Sequence, residues 1–397
     1  MRFVLACALA CAATRCVPSS TSAPAPGSTP PRATSVPSGS SLAASTPAEA
    51  SAAQVAPQLD AGGDGGGLAS AAPGPLFLGR FDLRDDGSAR FSWPGSAILV
   101  RFRGTQLTVT FDDHGWNHMD VRIDGAWHAR LPLKKGKLVY AVATGLPEGE
   151  HTVRVARRNE GHGGITTFHG FVAPGGEILT PPPVPTRRLE VLGDSITCGF
   201  GVDGRDPCPF EYWSENHERS YAAILGRALE AEEHTVAWSG FGMLRGADGS
   251  RTSTMQSLFG RTLATDFNLP WSFDRYQPHA VLIALSTNDF AKGDPGPPFV
   301  AAYDAFLARL RKVYPQALLV ATTSPMLGGE QKEISRRLIR EAVALRVAAG
   351  DPKVDFFDFD SQKISDGFGC GHHPSAKVHE DMARKIEPYL REKLDWR

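Results

Sequence analysis

Between Leu76 and residue 180 apolar side chains recur at every second position in short runs: Phe77–Leu83, Ile98–Phe102, Gln106–Phe111, Met119–Ile123, Leu138–Ala143 and His151–Ala156. Asp86-Gly87, Asp124-Gly125 and Glu148-Gly149 punctuate them as turns. Period-two alternation at regular spacing, with no helical stretch, predicts a β-sandwich (jelly-roll-like) over 76–180. The run Pro181-Pro182-Pro183-Val184-Pro185 is a stiff connector, 181–185. Beyond it, over 186–397, the pattern changes. Short, mainly apolar runs at Leu189–Leu192, His234–Trp238, Ala280–Leu285, Ala317–Thr322 and Val354–Phe359 predict buried strands. Helical spacing fills Glu218–Glu230, Phe299–Tyr314, Glu330–Ala349 and Ser375–Lys393. In the first of these, Tyr221, Ile224, Leu225, Ala228 and Leu229 share one face, which places Tyr221 in the core. Strands alternating with helices predict an α/β domain, three layers deep, around a mainly parallel sheet.

The N-terminus follows neither pattern. Met1-Arg2 leads into the short apolar run Phe3–Ala13, the architecture of a signal peptide over 1–16. Small residues before Cys11 leave a lipoprotein-type cleavage open, although Ala8 stands where a larger aliphatic residue is usual. Residues 17–75 are rich in Ser, Ala, Pro, Thr and Gly and cannot bury enough apolar surface to fold, which predicts a flexible tether. The expected location is outside the cytoplasm: secreted, periplasmic or at the cell surface. At 397 residues and 42% hydrophobic content, the chain can build two cores. A net charge of −1 provides no field for nucleic acid. No later stretch reaches the ~20 apolar residues of a membrane span, so membrane contact is expected only through a lipid on Cys11.

Each predicted strand of the second domain runs into a glycine-rich or polar turn, and in an open α/β sheet such turns gather at the carboxyl edge, where ligands bind. They are Gly193-Asp194-Ser195, Ser239-Gly240-Phe241-Gly242, Ser286-Thr287-Asn288-Asp289 and the late Cys370-Gly371-His372-His373-Pro374. Asp194 or Ser195, taken alone, could simply cap the next helix. Taken together the turns contain the parts of an acyl-transfer site. A serine hydroxyl is a weak nucleophile until a base takes its proton, and histidine is the base best poised near neutral pH. The tetrahedral intermediate then needs hydrogen-bond donors, which Ser195 N–H, Gly240 N–H and the Asn288 side-chain amide can supply.

That order of blocks resembles the SGNH (GDSL) hydrolase superfamily, and more narrowly carbohydrate esterase family 2, which deacetylates plant polysaccharides. The resemblance rests on Leu192–Gly199, Cys208-Pro209-Phe210, Ala237–Gly240, Tyr276-Gln277-Pro278, Thr287–Phe290, Ser324–Leu327 and His373-Pro374-Ser375. It runs along most of the second domain, with a sandwich in front as the family has. It implies serine-dependent deacetylation of an acetylated polysaccharide or oligosaccharide, of the xylan or glucomannan type, with Ser195 and His373 catalytic and neither metal nor cofactor. His373 is preferred over His372 because Pro374 follows it. The family's acid is missing: the positions three and two residues before His373 are Cys370 and Gly371. His373 is then oriented by a backbone carbonyl, as a Ser–His dyad, or by Asp366 from farther away; the dyad is preferred.

Other residues carry open alternatives. His372, His373 and His379 with Asp366 could be imagined around zinc, but their spacing matches no metal motif and His379 falls on the last helix. Cys198 and Cys208 are either a disulfide or packed thiols; pairing them leaves Cys370 free. Trp238 and Trp271, each beside a site turn, are either a sugar platform or core; Trp93, Trp116 and Trp127 could stack on sugar, but the sandwich core is the commoner place for them and is expected. Two competing functions remain: an esterase for another acyl group, and a catalytically weak carbohydrate-binding protein on the same fold.

Overall fold

The computed structural model describes residues 72–397. The expected leader, Cys11 and nearly all of the tether fall outside the described residues.

The first domain consists of β1 (Leu76–Leu78), β2 (Asp82–Leu83), β3 (Ala89–Phe91), β4 (Ala97–Arg103), β5 (Leu107–Asp113), β6 (His118–Ile123), β7 (Ala126–Pro132), β8 (Gly136–Ala143), β9 (Glu150–Arg157), β10 (Thr166–Val172) and β11 (Glu177–Leu179). They form two antiparallel sheets, β1-β4-β9-β6-β7 with β11 also on β4, and β2-β3-β10-β5-β8. Alternate residues of facing strands fill the space between them: Ile98, Val100 and Phe102 from β4, and Leu107, Val109 and Phe111 from β5. The expected tryptophan core is not there. Trp116 and Trp127 are more than half exposed. Trp127 lies on the outer strand β7, whose residues are mostly exposed. Trp93 is fully buried, but in the core of the second domain, where its indole N–H donates to Thr262 O at 2.9 Å.

The second domain is built on β12 (Arg187–Gly193), β13 (Ala231–Ala237), β14 (Ala280–Ala284), β15 (Leu318–Thr322) and β16 (Val354–Phe357), all parallel, in the order β13-β12-β14-β15-β16. Its helices are α1 (Ser195–Cys198), α2 (Tyr221–Ala228), α3 (Met255–Leu258), α4 (Pro297–Val313), α5 (Gly329–Ala348) and α6 (Ala376–Leu394). The strand alternation sorts them into layers. Val281 and Ile283 face α4 and α5, while Leu282 and Ala280 face α2 and α6. Tyr221 is buried on that second side, as its spacing implies. The sheet reverses direction at β12, and the turn after β12 is therefore the switch point at which open α/β sheets bind ligands.

The two domains are joined by buried polar contacts. Arg80 enters the second domain and pairs with Glu190 of β12 at 2.8 Å, both side chains essentially inaccessible. It also donates to Phe259 O at 2.6 Å and Arg261 O at 3.0 Å, and lies over the Phe259 and Trp271 rings. Such a charge is tolerable in an interior because it is both paired and hydrogen-bonded.

Candidate active site

The strand β12 ends at Gly193, and Asp194 caps the short helix α1 by accepting from Ile196 N–H at 3.0 Å. Ser195 is thereby the first helical residue, at the carboxyl rim of the sheet. Its Oγ lies 2.8 Å from His373 Nε2. The other ring nitrogen, Nδ1, lies 3.1 Å from Gly371 O. A carbonyl only accepts, so Nδ1 carries the proton and Nε2 is left as the acceptor for the serine hydroxyl. Phe200 packs against the imidazole, ring centroids 4.2 Å apart. Burial holds the His373 pKa below the usual imidazole value, against the upward pull of its carbonyl bonds and of Glu160. The residue is kept in its basic form.

Asp366 does not reach the histidine. Its carboxylate pairs with Lys377 at 3.1 Å and its carbonyl accepts from Ser375. Nor do the histidines assemble. His372 is exposed and directed at Asp206, and His379 is buried with Nδ1 accepting from Tyr221 N–H at 3.1 Å.

Gly240 sits at φ +80°, a left-handed conformation that side-chain-bearing residues avoid, and that is its reason to be glycine, since a Cβ there would meet nothing within 4 Å. Neither Ser195 N–H nor Gly240 N–H donates to any group among the described residues. Asn288 is placed beside them, but its amide is engaged: Nδ2 donates to Phe241 O at 2.7 Å and, less closely, to Asp194 Oδ2 at 3.3 Å. Asp289 fixes the intervening loop by accepting from the N–H groups of Met243, Leu244 and Arg245. Burial lifts Asp194 to about 7 and raises Asp289, whose three N–H bonds act in the opposite direction.

The first domain also enters the site, through Glu160-Gly161-His162 after β9. Glu160 Oε2 accepts from Ser239 N–H at 2.6 Å, one residue before Gly240. Gly161 lies so close to Trp238 that a Cβ would come within 2.7 Å of its ring, and no larger residue fits between them. His162 accepts from the Trp238 indole N–H at 2.8 Å. Beneath α1, the Glu160, Glu215 and Cys198 side chains lie within 4.8 Å of one another, all buried. Burial and the charge of Glu160 drive Glu215 well above the usual carboxylate range, and the Arg157 guanidinium pulls it the other way.

Two further expectations change. Trp238 is half-buried against His162 and Phe241. Trp271 is only 5% exposed, with Arg80 and Arg275 over its ring, so no face is left for a sugar. Cys208 bonds to Cys370, not to Cys198, which is a free buried thiol. The 208–370 bridge ties the Phe210–Trp213 loop to the segment that carries His373. Sequence spacing misses it because the two cysteines lie 162 residues apart.

A serine on a strand–turn–helix at the switch point, facing a histidine and two unused N–H donors, is the arrangement of the SGNH class of hydrolases. Residues 77–183 match the carbohydrate esterase 2 N-terminal family, and residues 191–380 match the GDSL-like lipase/acylhydrolase family. The cellulase/esterase CelE of Acetivibrio thermocellus is 33% identical over 326 residues; the match covers 82% of this chain and 40% of CelE, so the chain spans well under two thirds of that relative. An acetylxylan esterase/glucomannan deacetylase of Cellvibrio japonicus is 30% identical, with 83% of this chain and 91% of that protein covered. A family two carbohydrate esterase from Clostridium thermocellum, solved in complex with cellohexaose, superposes with a TM-score of 0.79 at 33% identity, over 82% of this chain and 100% of that one. The chain belongs to carbohydrate esterase family 2. It is an ester hydrolase.

Proposed function

We propose that this chain is an exported serine esterase that removes O-acetyl groups from polysaccharides or oligosaccharides of the xylan or glucomannan type. The observation that carries the reading is the 2.8 Å contact between Ser195 Oγ and His373 Nε2, with Nδ1 held by a carbonyl. Ser195 Oγ attacks the acetyl carbonyl carbon as His373 takes its proton. The oxyanion takes hydrogen bonds from Ser195 N–H and Gly240 N–H, and Asn288 joins them by releasing the longer of its two bonds, to Asp194. The C–O bond to the sugar breaks as the imidazolium returns the proton to the departing hydroxyl. Water, deprotonated by the same histidine, attacks the acetyl-serine; acetate leaves and Ser195 regains its proton. A neighbouring carboxylate would ordinarily steady the imidazolium; here Gly371 O fixes its orientation without adding charge.

Export is supported by the apolar leader Phe3–Ala13 and by the Cys208–Cys370 disulfide, which persists in oxidising compartments. The acetyl group and its polysaccharide follow from the named activity of the Cellvibrio japonicus relative. Acetate release from acetylated xylan and glucomannan tests the reading. We expect release by the parent chain and a fall of at least about 10⁴-fold in Ser195→Ala. Equal release by both would overturn it.

A further inference from the structure

A cleft of about 570 Å³ lies away from the Ser195 turn, at the junction of the two domains. Trp127 of β7 and Trp213 of the loop before α2 line it, 58% and 42% exposed. A single exposed apolar ring needs no explanation, but two that line one cleft form the kind of grouped apolar surface that marks a binding site. The backbone that carries Trp213 is held in place. Trp213 O accepts from Arg158 Nη2 at 3.1 Å and the adjoining Tyr212 O accepts from Asn159 Nδ2 at 2.7 Å. The Arg158 guanidinium is itself buried and bonded to Asp120 at 2.8 Å.

The charges of the cleft leave one group over. Arg219 is paired with Asp203, Arg158 with Asp120 and Asp203, and Arg122 lies near Glu218. The Arg130 guanidinium has no ion pair or hydrogen bond among the described residues: its cross-strand neighbour Asp120 is already taken by Arg158. An unpaired guanidinium beside two tryptophans calls for a ligand with flat apolar faces and a carboxylate, which a fork of N–H donors grips in two places.

A line of ring contacts also joins the cleft to the site. Rings lead from it to the catalytic histidine: Tyr212, next to Trp213, lies 5.6 Å from Phe210, which stacks on Phe200 at 4.3 Å, which packs on His373. Trp116 of the first domain, 5.5 Å from Tyr212, flanks the same loop.

We propose that this cleft binds a length of glycan chain bearing sugar carboxylates, with Trp127 and Trp213 against sugar faces and Arg130 on a carboxylate. The proposal rests on the reading that the substrate is a glycan. It makes the cleft a remote subsite that holds the polymer while an acetyl group reaches Ser195.

The test uses the full chain with Ser195→Ala, so that binding is seen without turnover, and measures affinity for acetylated xylan bearing glucuronic acid and for the same polymer after carboxyl reduction. Trp127→Ala and Trp213→Ala should each weaken binding to the acidic polymer about tenfold, the scale of a lost aromatic contact. Trp213→Phe should recover most of it. Arg130→Gln should weaken only the acidic polymer. In the Ser195 background the same variants should hydrolyse a small aryl acetate within about twofold of the parent, because that ester is too small to reach the cleft. Unchanged affinity in both tryptophan variants, or equal binding of the acidic and reduced polymers, would overturn the proposal. An inactive parent on the aryl acetate would instead sink the esterase reading and leave the binding result standing.

Discussion

Among the buried polar contacts between the two domains, two obey opposite rules. At one, Arg80 and Glu190 carry opposite charges, and Arg80 Nη1 also donates to Phe259 O and Arg261 O among aromatic rings, although Arg80 Nε and Glu190 Oε2 are left without a hydrogen bond. At the other, Glu160 and Glu215 are both acids, buried together; Glu215 Oε1 has no hydrogen bond, and Glu160 Oε1 has only His162 Nδ1 at 3.3 Å. The first contact is what a stable interior tolerates. The second costs stability, and it lies where Glu160 holds Ser239 N–H beside Gly240. Unfavourable groups persist at functional sites because position matters more there than free energy. On the proposed mechanism the sandwich domain is both a buttress and a support for the oxyanion turn, through separate residues.

The largest effect that would separate the two contacts is on stability. Arg80→Ala leaves Glu190 as an uncompensated buried charge and should cost about 3–5 kcal/mol in urea unfolding. At temperatures where the variant is folded, kcat on an aryl acetate should match the parent; a large loss of kcat would mean that the Arg80 contact also serves the site. The next effect is on turnover. Glu160→Ala removes the acceptor that sets the Ser239–Gly240 peptide, and kcat should fall about tenfold with KM for a small ester nearly unchanged, well short of the ~10²–10³ that deleting an oxyanion donor itself costs. Glu160→Gln keeps the acceptor and should restore most of kcat, yet it lacks the charge that raises the His373 pKa. Its acid limb of kcat/KM should therefore lie at lower pH than the parent's, itself below the ordinary imidazole value of 6.5. Coincident pH profiles would break the assignment.

The smallest effect should be a gain. Glu215 has a folded pKa above its unfolded one, so the folded state binds the extra proton, and stability declines as pH rises from the ordinary carboxyl value through the folded value. Glu215→Gln escapes that decline. Thermal unfolding at pH 8 should find it more stable than the parent, by on the order of 1 kcal/mol, with the difference vanishing at acid pH. A variant less stable at pH 8 would show that the Glu215 charge is compensated.

What could be read in advance was local. An apolar strand broken by glycine, as at Leu192-Gly193-Asp194-Ser195, carries its conformation in its own residues, and β12, β14, β15 and the long helices lie close to where periodicity puts them. The start of β13 was hidden because Glu232 and Glu233 look like loop residues; in the fold they are matched by His234 and His217. Side chains that act across the domain boundary left no local mark. Glu160 lies in a polar turn of a domain with no chemistry of its own, and Trp93 leaves its sandwich to fill another core. The bond between Cys208 and Cys370 depends on two loops meeting in space. The emptiness of the acid position was legible, and Gly371 O at His373 Nδ1 gives it a physical sense.

That carbonyl changes how the site can be damaged. Where a side-chain acid orients a histidine, one base change in the gene deletes it; a main-chain oxygen survives every substitution at its own position. The exposure to mutation moves instead to the backbone angle. Gly371 holds φ +64°, a conformation other residues enter at a cost, so a replacement there would turn the acceptor away instead of removing it. An enzyme wired this way can drift freely in the side chains around its base while staying hostage to one glycine.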